Sequence, residues 1–356
     1  MSNKKTVFVG LSGGVDSSVA AKRLIEQGYN VVGVFIKVWH PDFMVCNWEA
    51  ERLDAMRVAA HLDIPFLTCD AEAEYRDEVA KYFIEEYKAG RTPNPDVMCN
   101  QHVKFDAFLR FAQQKGADFI ATGHYAQKIT KGNPLQSGLH RGVDEGKDQT
   151  YFLWTLSNEQ LAKSLFPVGN TPKEQIRQEA EAAGIPTATK KDSQGICFLG
   201  HVDIPEFLSH YVSLEKGHVL NEAGEIIGNH QGALVYTLGQ RHGFNITTAN
   251  NQRTALYVTT RDLQRNTITV SAQKSLISNE DSVTLTNLQL RKKVETGDEL
   301  EAQFRYRQKP FKIKILSLKD NQLILKPLTE VEQPASGQSC VLYQSSLCLG
   351  GGVVIK

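Results

Sequence analysis

The first 125 residues alternate strand-length apolar runs with helical stretches, and that order leaves few folds open. "TVFVGL" (Thr6–Leu11) is a short apolar run, and "SSVAAKRLIEQG" (Ser17–Gly28) carries helical periodicity closed by a glycine. "NVVGVFIKVW" (Asn30–Trp39), "IPFLTCD" (Ile64–Asp70) and "DFIATGHY" (Asp118–Tyr125) read as further strands. Between them, Glu49–Ile64, Glu72–Lys88 and a stretch near Lys104–Lys115 read as helices, and a later one spans Lys173–Gly184. Strands separated by helices run parallel, joined by right-handed crossovers. The expected fold is therefore a doubly wound α/β domain with a parallel sheet.

At 356 residues the chain exceeds one ordinary core, and two or three domains are expected. The texture changes after about residue 205. "HVLNEAGEIIG" (His218–Gly228) reads as a hairpin. From Val283 onward short alternating strands dominate: "VTLTNLQL", "ELEAQFRYR", "FKIKILSL", "QLILKPL" and "SCVLYQ". They predict a small β-barrel-like module. The expected division is a catalytic domain over 1–205, a small central domain over 206–275 and a C-terminal barrel over 276–356.

No apolar run is long enough to cross a bilayer. The N-terminal apolar stretch is too short for a signal-peptide core and breaks at Gly10, so a cytoplasmic protein is expected. Lys+Arg and Asp+Glu are 40 each, so overall charge gives no reason to expect a nucleic-acid partner. A local patch still suffices to supply phosphate contacts. Six cysteines, at 46, 69, 99, 197, 340 and 348, form neither a C-x-x-C pair nor a zinc spacing. A secreted disulfide framework does not suit this length, so any working cysteine is expected to be reactive.

The first strand–helix junction is "GLSGGVDSS", Gly10–Ser18. Glycine-rich turns at such junctions bind anions through backbone N–H groups and the helix N-terminus. Neither G-x-x-x-x-G-K-[ST] nor G-x-G-x-x-G is present, which disfavours ordinary ATPases and dinucleotide folds. The loop instead resembles the pyrophosphatase loop of ATP-dependent adenylating enzymes, which cut ATP between the α and β phosphates. That resemblance implies Ser12, Gly13, Gly14, Ser17 and Ser18 around pyrophosphate, with Gly10, Leu11 and Val15 completing the loop and Asp16 near Mg2+. One carboxylate plus substrate phosphates is chemically sufficient for magnesium. A plain glycine turn with Asp16 capping the helix is the alternative.

"RTPNPDVMCN" (Arg91–Asn100) carries a helix start: Asn94 as N-cap, Pro95 at the first helical position and Asp96 in the first turn. Asp96 and Cys99 then share a face at i and i+3. The carboxylate can shuttle a thiol proton but also tends to raise the thiol's pKa. In "KKDSQGICFLG" (Lys190–Gly200), Cys197 has apolar neighbours that suit a buried thiol and nearby lysines that suit an activated one.

Together, "SGGVDS", "AGRTPNPDVMCN", "IATGHYA", "KDQTYFLW", "KKDSQGICFLG", "TLGQRHG", "FRYRQ", "GQSCVLY" and "LGGGVVI", in this order, resemble the tRNA-specific 2-thiouridylases over nearly the entire chain. The resemblance implies an adenine nucleotide alpha hydrolase-like catalytic domain. It also implies replacement of oxygen by sulfur at C2 of the wobble uridine (U34) in tRNAs for glutamate, glutamine and lysine. ATP adenylates the oxygen so that AMP can leave, and sulfur arrives as a persulfide on Cys197. Cys99 serves as second thiol, attacking either the activated base or the persulfide, and both routes end in a Cys99–Cys197 disulfide. Asp96 is the implied general acid/base.

By the same resemblance Ile36 and Gly123 line the adenosine pocket, and Asn94, Pro95 and Asp96 meet the target base. His124, Lys147, Asp148, Gln149, Arg305, Tyr306 and Gln338 are implied tRNA contacts. "FRYRQKPFKIK" (Phe304–Lys314) mixes cations and aromatics as RNA-contacting strands do, though a solvated strand face has the same composition. An upstream persulfide carrier or cysteine desulfurase is the implied partner, with the barrel gripping the anticodon stem-loop. Cys46, in a segment (His40–Glu49) expected to be mobile, has no assigned role, nor do Cys69, Cys340 and Cys348. The competing readings are a relative that activates another acceptor, such as a nucleotide amidotransferase or lysidine synthetase, and an ATP-dependent RNA-binding protein without chemistry. Neither needs Asp96, Cys99 and Cys197 together.

Overall fold

The computed structural model describes residues 4–44, 48–130, 137–192, 195, 197, 200, 203–247 and 255–355. The first domain is built on strands β1 (Thr6–Gly10), β2 (Asn30–Lys37), β3 (Phe66–Asp70), β4 (Phe119–Ala121) and a short strand at Ser164–Leu165. Numbering the hairpin Ala126–Ile129 (β5) and Gly138–Arg141 (β6) in between makes that last strand β7. The sheet order is β3-β2-β1-β4-β7, parallel throughout. Strand alternation explains its two-sided burial. Phe8, Val32, Val34 and Ile36 enter one core with Tyr75, Val103 and Phe105. Val7, Val9, Val31 and Phe35 enter the other, against helices α1 (Val15–Glu26) and α2 (Trp48–His61).

The helical stretches expected near 72–88 and 104–115 are present, the second beginning at Pro95, and each contains a wide π segment, Tyr75–Ala80 and Cys99–Ala107. The strand expected over Asp118–Tyr125 stops at Ala121, which leaves Gly123, His124 and Tyr125 in a loop at the sheet's carboxyl edge.

The central domain contains the hairpin around 218–228 as β8 (Gly217–Leu220) and β9 (Ile226–His230). Three further strands, β10 (Phe244–Ile246), β11 (Tyr257–Asp262) and β12 (Thr267–Ser271), complete a sheet ordered β10-β9-β8-β12-β11. Its core, including Val219, Val258 and Ile268, continues into Phe83, Ile84 and Tyr87 of the first domain.

After the short strand β13 (Leu276–Ile277) come β14 (Val283–Leu290), β15 (Glu299–Gln303), β16 (Phe311–Lys319), β17 (Gln322–Pro327), the short β18 (Val331–Glu332), β19 (Ser339–Gln344) and β20 (Leu347–Val354). The order β14-β17-β16-β15-β19-β20 returns to β14, so six strands close a barrel. Closure depends on the glycines of "LGGGVVI", a segment with weak strand character on its own. A Cβ at Gly351 would stand 2.2 Å from Cys340 O, and one at Gly350 1.9 Å from Gln289 O. Only a bare backbone lets β20 lie this close to both neighbours.

The barrel is fastened to the first domain at several places. The hairpin β5–β6 extends its sheet, with His140 opposite Leu347. The buried Arg291 donates to the carbonyls of Trp154 (2.7 Å), Leu156 (2.9 Å) and Cys348 (3.0 Å).

Candidate active site

The glycine-rich loop lies at the carboxyl end of β1, where open α/β sheets hold ligands. Gly14 is the N-cap of α1, so Asp16 stands in the first turn rather than capping it. Ser12 Oγ accepts the Gly14 N–H (3.3 Å), and the Ser17 and Ser18 hydroxyls donate to Gly14 O (3.2 and 2.8 Å). Ser17 and Ser18 are buried and shape the loop from beneath. Leu11 and Val15 face the core, which leaves their backbones for a ligand. Gly13 has φ +68° with α2 directly behind it, since its Cβ would stand 2.7 Å from Asp54 Cβ. Gly123 presses on the loop's far side, 2.7 Å from Ser17 N by the same measure, and the side chain of Ile36 lies beside Gly10.

A lysine does reach this loop, from 157 residues away. Lys173 Nζ contacts both carboxylate oxygens of Asp16 (2.7 and 2.9 Å), and Tyr125 donates its hydroxyl to Asp16 (2.7 Å). Lys173 also pairs with Asp192 (2.8 Å), which is shared by Lys147 (2.7 Å) and Arg177 (3.1 Å). Burial works against the Asp192 charge, but hydrogen bonds from Lys147 and Lys173 hold its carboxyl down at about 2. Asp16 offers a hard oxygen for Mg2+, and no cluster of three or more His, Cys, Asp or Glu ligands occurs among the described residues. The donor set fits a magnesium held by one carboxylate and by substrate phosphates, with Lys173 yielding an oxygen.

The second half of the site gathers the cysteines. Asn94 caps the helix as expected, its side chain accepting the Val97 N–H (3.3 Å), with Pro95 first in the helix. Cys99 is fully buried, and Cys197 packs against the same core, close enough for each thiol to act on the other's protonation. Asp96 Oδ1 accepts the Cys197 backbone N–H (2.8 Å), and the Tyr75 hydroxyl donates to Cys197 O (3.0 Å). Lys104, five residues beyond Cys99 in the same π segment, brings its charge to bear on Cys197. The Lys104 side chain is half-buried.

These contacts pull the two thiols apart chemically. The hydrogen bond from Cys99 outweighs burial and, with the Lys104 charge, brings the Cys197 thiol down to about 7. Burial, reinforced by that same bond and the Cys197 charge, pushes Cys99 well up. Within the pair, Cys99 holds its proton more tightly than Cys197. Burial also raises the Asp96 carboxyl, making it a stronger base than an exposed aspartate.

The lysine beside Cys197 is not one of its sequence neighbours, because Lys190 pairs with Asp54 (2.8 Å). Lys104, Lys173, Asp192, Tyr75 and Tyr125 are site residues that sequence reasoning missed. The remaining cysteines described, Cys69, Cys340 and Cys348, are buried free thiols, and Cys46 lies outside the described residues.

The implied tRNA contacts divide. Two are turned inward in this structure. His124 is buried between Phe105 and Phe166, its Nδ1 bonded to Thr122 (2.7 Å). Asp148 is buried, accepting from Thr150, the Gly142 N–H and Arg141. Gln149 accepts the Tyr125 N–H (2.9 Å), and Lys147 pairs with Asp192.

Arg305, Tyr306 and Gln338 instead sit at the barrel end nearest the cysteine helix. Arg305 pairs with Glu332 (2.8 Å) and donates to Leu238 O (2.9 Å) of the central domain. Tyr306 packs on Phe152, with ring centroids 4.5 Å apart, and Gln338 accepts the Ala335 N–H (2.8 Å). Thr92 meets both other domains, through Ser336 O (2.8 Å) and Thr237 Oγ1 (3.0 Å). All three domains therefore converge just ahead of Asn94 and Asp96.

Three consecutive family profiles match the chain. They are described as a tRNA methyl transferase HUP domain (residues 5–201), a tRNA methyl transferase PRC-barrel domain (205–272) and an aminomethyltransferase beta-barrel domain (280–354). The protein named tRNA-specific 2-thiouridylase MnmA from Listeria monocytogenes serotype 4b is 43% identical over 355 residues, 98% of this chain and 94% of that protein. The chain belongs to the tRNA-specific 2-thiouridylase family. Its namesake from Streptococcus thermophilus is 44% identical over 361 residues, covering 99% and 96%. A solved 4-thiouridine synthetase–RNA complex with bound ATP aligns at 18% identity and a TM-score of 0.35, over 58% of this chain and 50% of that one. Membership in this family makes the protein an enzyme. No helix among the described residues is long and apolar enough to cross a membrane.

Proposed function

We propose that the protein uses ATP to replace the C2 oxygen of the wobble uridine (U34) of tRNAs for glutamate, glutamine and lysine by sulfur. The observation that carries this reading is the contact between Cys99 and Cys197, two thiols nearly 100 residues apart, with Asp96 bonded to the second. The phosphate loop supports it from the other side. Gly123 packs on that loop, while His124, the next residue, lies within electrostatic reach of Lys104. The 122–125 loop thus joins the nucleotide half of the site to the sulfur half.

In the proposed reaction the uridine C2 oxygen attacks the α-phosphate of ATP and pyrophosphate leaves into the 12–18 loop. Bound Mg2+ would neutralise phosphate charge, with Asp16 as its protein ligand. The target base leaves its stack to enter, which an anticodon loop permits at modest cost. Cys197 carries a persulfide delivered by an upstream carrier or a cysteine desulfurase. Asp96 takes the Cys99 proton, and the Cys99 thiolate attacks Cys197 Sγ, breaking the S–S bond to the terminal sulfur. That sulfur, released as sulfide or already bonded to C2, takes the electron pair of the broken bond. AMP departs with the original oxygen, leaving C2=S and a Cys99–Cys197 disulfide. A dithiol reductant reopens it, which suits a cytoplasmic enzyme. The barrel and the 91–94 segment form the cradle for the anticodon stem-loop.

Two of the matching profiles carry a methyl-transfer description. Two adjacent thiols with a carboxylate beside them favour sulfur transfer over that description. The deciding experiment incubates the purified protein with ATP, Mg2+, a sulfur donor and tRNA, then examines digested tRNA by mass spectrometry. The expected product is 2-thiouridine, absent with Cys99→Ser or Cys197→Ser. No 2-thiouridine from the wild-type protein, or methylated uridine with S-adenosylmethionine, sinks the reading.

A further inference from the structure

An ammonium group packed inside a protein persists only where anions and hydrogen-bond acceptors compensate its lost hydration. The sulfur site supplies such compensation for Lys104. Burial works against its charge, but Cys197, Cys99 and Asp96 outweigh it and raise its pKa. The backbone geometry explains how it arrives there. In an α-helix Lys104 would point about 140° away from Cys99, since five residues at 3.6 per turn overshoot one turn. The π segment Cys99–Ala107 widens the turn and brings residue i+5 back toward the face of residue i.

Cys197 is fixed against that face by two bonds to its backbone, one to Asp96 Oδ1 (2.8 Å) and one from Tyr75 (3.0 Å). Tyr75 itself begins the other π segment, Tyr75–Ala80. The remaining titratable groups around the pair are Cys99 and Tyr75, both kept protonated by burial, and His124, kept neutral by burial and by Lys104. Lys104 is the cation recorded beside Cys197 among the described residues.

We propose that Lys104 is a positioning residue of the sulfur site, whose ammonium holds an anionic sulfur on Cys197 beside Cys99, the thiolate before loading and the terminal persulfide sulfur after it. The proposal rests on the reading of Cys197 as the sulfur carrier. A fixed cation here favours loading, because the thiolate is the attacking species. It also keeps the terminal sulfur an anion for its attack on C2, before Cys99 breaks the S–S bond.

The test needs neither tRNA nor ATP. Alkylation of Cys197 by iodoacetamide is followed by peptide mass spectrometry from pH 5.5 to 10 in the wild-type protein and in Lys104→Met, Lys104→Gln and Lys104→Arg. The expected wild-type midpoint is about 7. Met and Gln raise it by about one unit or more, slowing alkylation at pH 6 about tenfold, whereas Arg restores most of the difference. An unchanged midpoint in Lys104→Met or Lys104→Gln overturns the proposal. So does a wild-type midpoint at or above the ordinary thiol value of about 8.5, which needs no variant to fold. Shifted alkylation in a protein that makes no 2-thiouridine would leave the Lys104–Cys197 pairing standing and overturn the sulfurtransferase reading instead.

Discussion

Asp96 Oδ1 accepts the backbone N–H of Cys197 at 2.8 Å across 101 residues of sequence. One carboxylate therefore both holds the Cys197 backbone and, in the proposed reaction, stands beside the thiol that loses a proton. Asparagine keeps the acceptor oxygen but cannot take the proton. Asp96→Asn is expected to slow single-turnover thiolation by about 10² or more, as loss of a general base does. Cys197 alkylation should stay within a few-fold of wild type. Asp96→Ala should disturb both. Near-normal thiolation by Asp96→Asn would remove Asp96 from proton transfer.

Lys173 lies against both oxygens of Asp16 and also against Asp192. With nucleotide present, Asp16 is expected to turn to magnesium and Lys173 to a phosphate oxygen. Lys173→Met should then weaken ATP binding about tenfold, the worth of one charge-assisted hydrogen bond. Isothermal titration with a non-hydrolysable ATP analogue measures it directly. Since Asp192 is also held by Lys147 and Arg177, thermal stability should change little. Unchanged nucleotide affinity would confine Lys173 to a structural ion pair.

Tyr151 ties the first domain to the barrel. Its hydroxyl reaches Phe304 O (2.9 Å) and Ser339 O (3.2 Å), adjoining Arg305 and Gln338. Tyr151→Phe leaves buried acceptors without their donor, a cost of about 1–3 kcal/mol. Limited proteolysis should release the barrel more readily, and tRNA affinity should fall while ATP affinity holds. Equal loss of both affinities would mean that the whole fold, and not the junction, depends on this hydroxyl.

The parallel sheet was legible because each element announces itself locally. Apolar runs make β1 to β3, and Asn94-Pro95 marks a helix start that the structure realises with an Asn94–Val97 cap. Other features are set by distant chain. β20 reads poorly as a strand because Gly350 and Gly351 serve the approach of β14 and β19. The β5–β6 hairpin has little pattern of its own and gains its partner from β20. At the site, Cys99 and Cys197 could be named from their chemistry and their resemblance to a family, but their contact could not. Lys104 stayed hidden because a helical wheel at 3.6 residues per turn turns it away from Cys99. Lys173 stayed hidden because 157 residues separate it from the loop it serves.

Two buried histidines give folding a pH dependence with a definite sign. Burial lowers the pKa of His124, helped by the Lys104 charge, and burial also lowers that of His230. In the unfolded chain both should titrate near the ordinary value of about 6.5. Below that pH the unfolded state binds more protons than the folded one, so stability is full above about 6.5 and is lost as pH falls toward the folded values. Each histidine can contribute a slope of up to about 1.4 kcal/mol per pH unit. Asp96 acts in the opposite sense, because its raised pKa lets the folded state hold a proton more tightly, in the more acidic carboxylate range. Urea unfolding at pH 7.5, 6.5 and 5.5 should therefore show stability falling across the lower interval. His124→Asn, which can keep a hydrogen bond to Thr122, should flatten that fall by up to one proton's worth. An unaltered slope in His124→Asn would mean that this ring is protonated in the folded protein, and with it the neutral wall facing Lys104 would be lost.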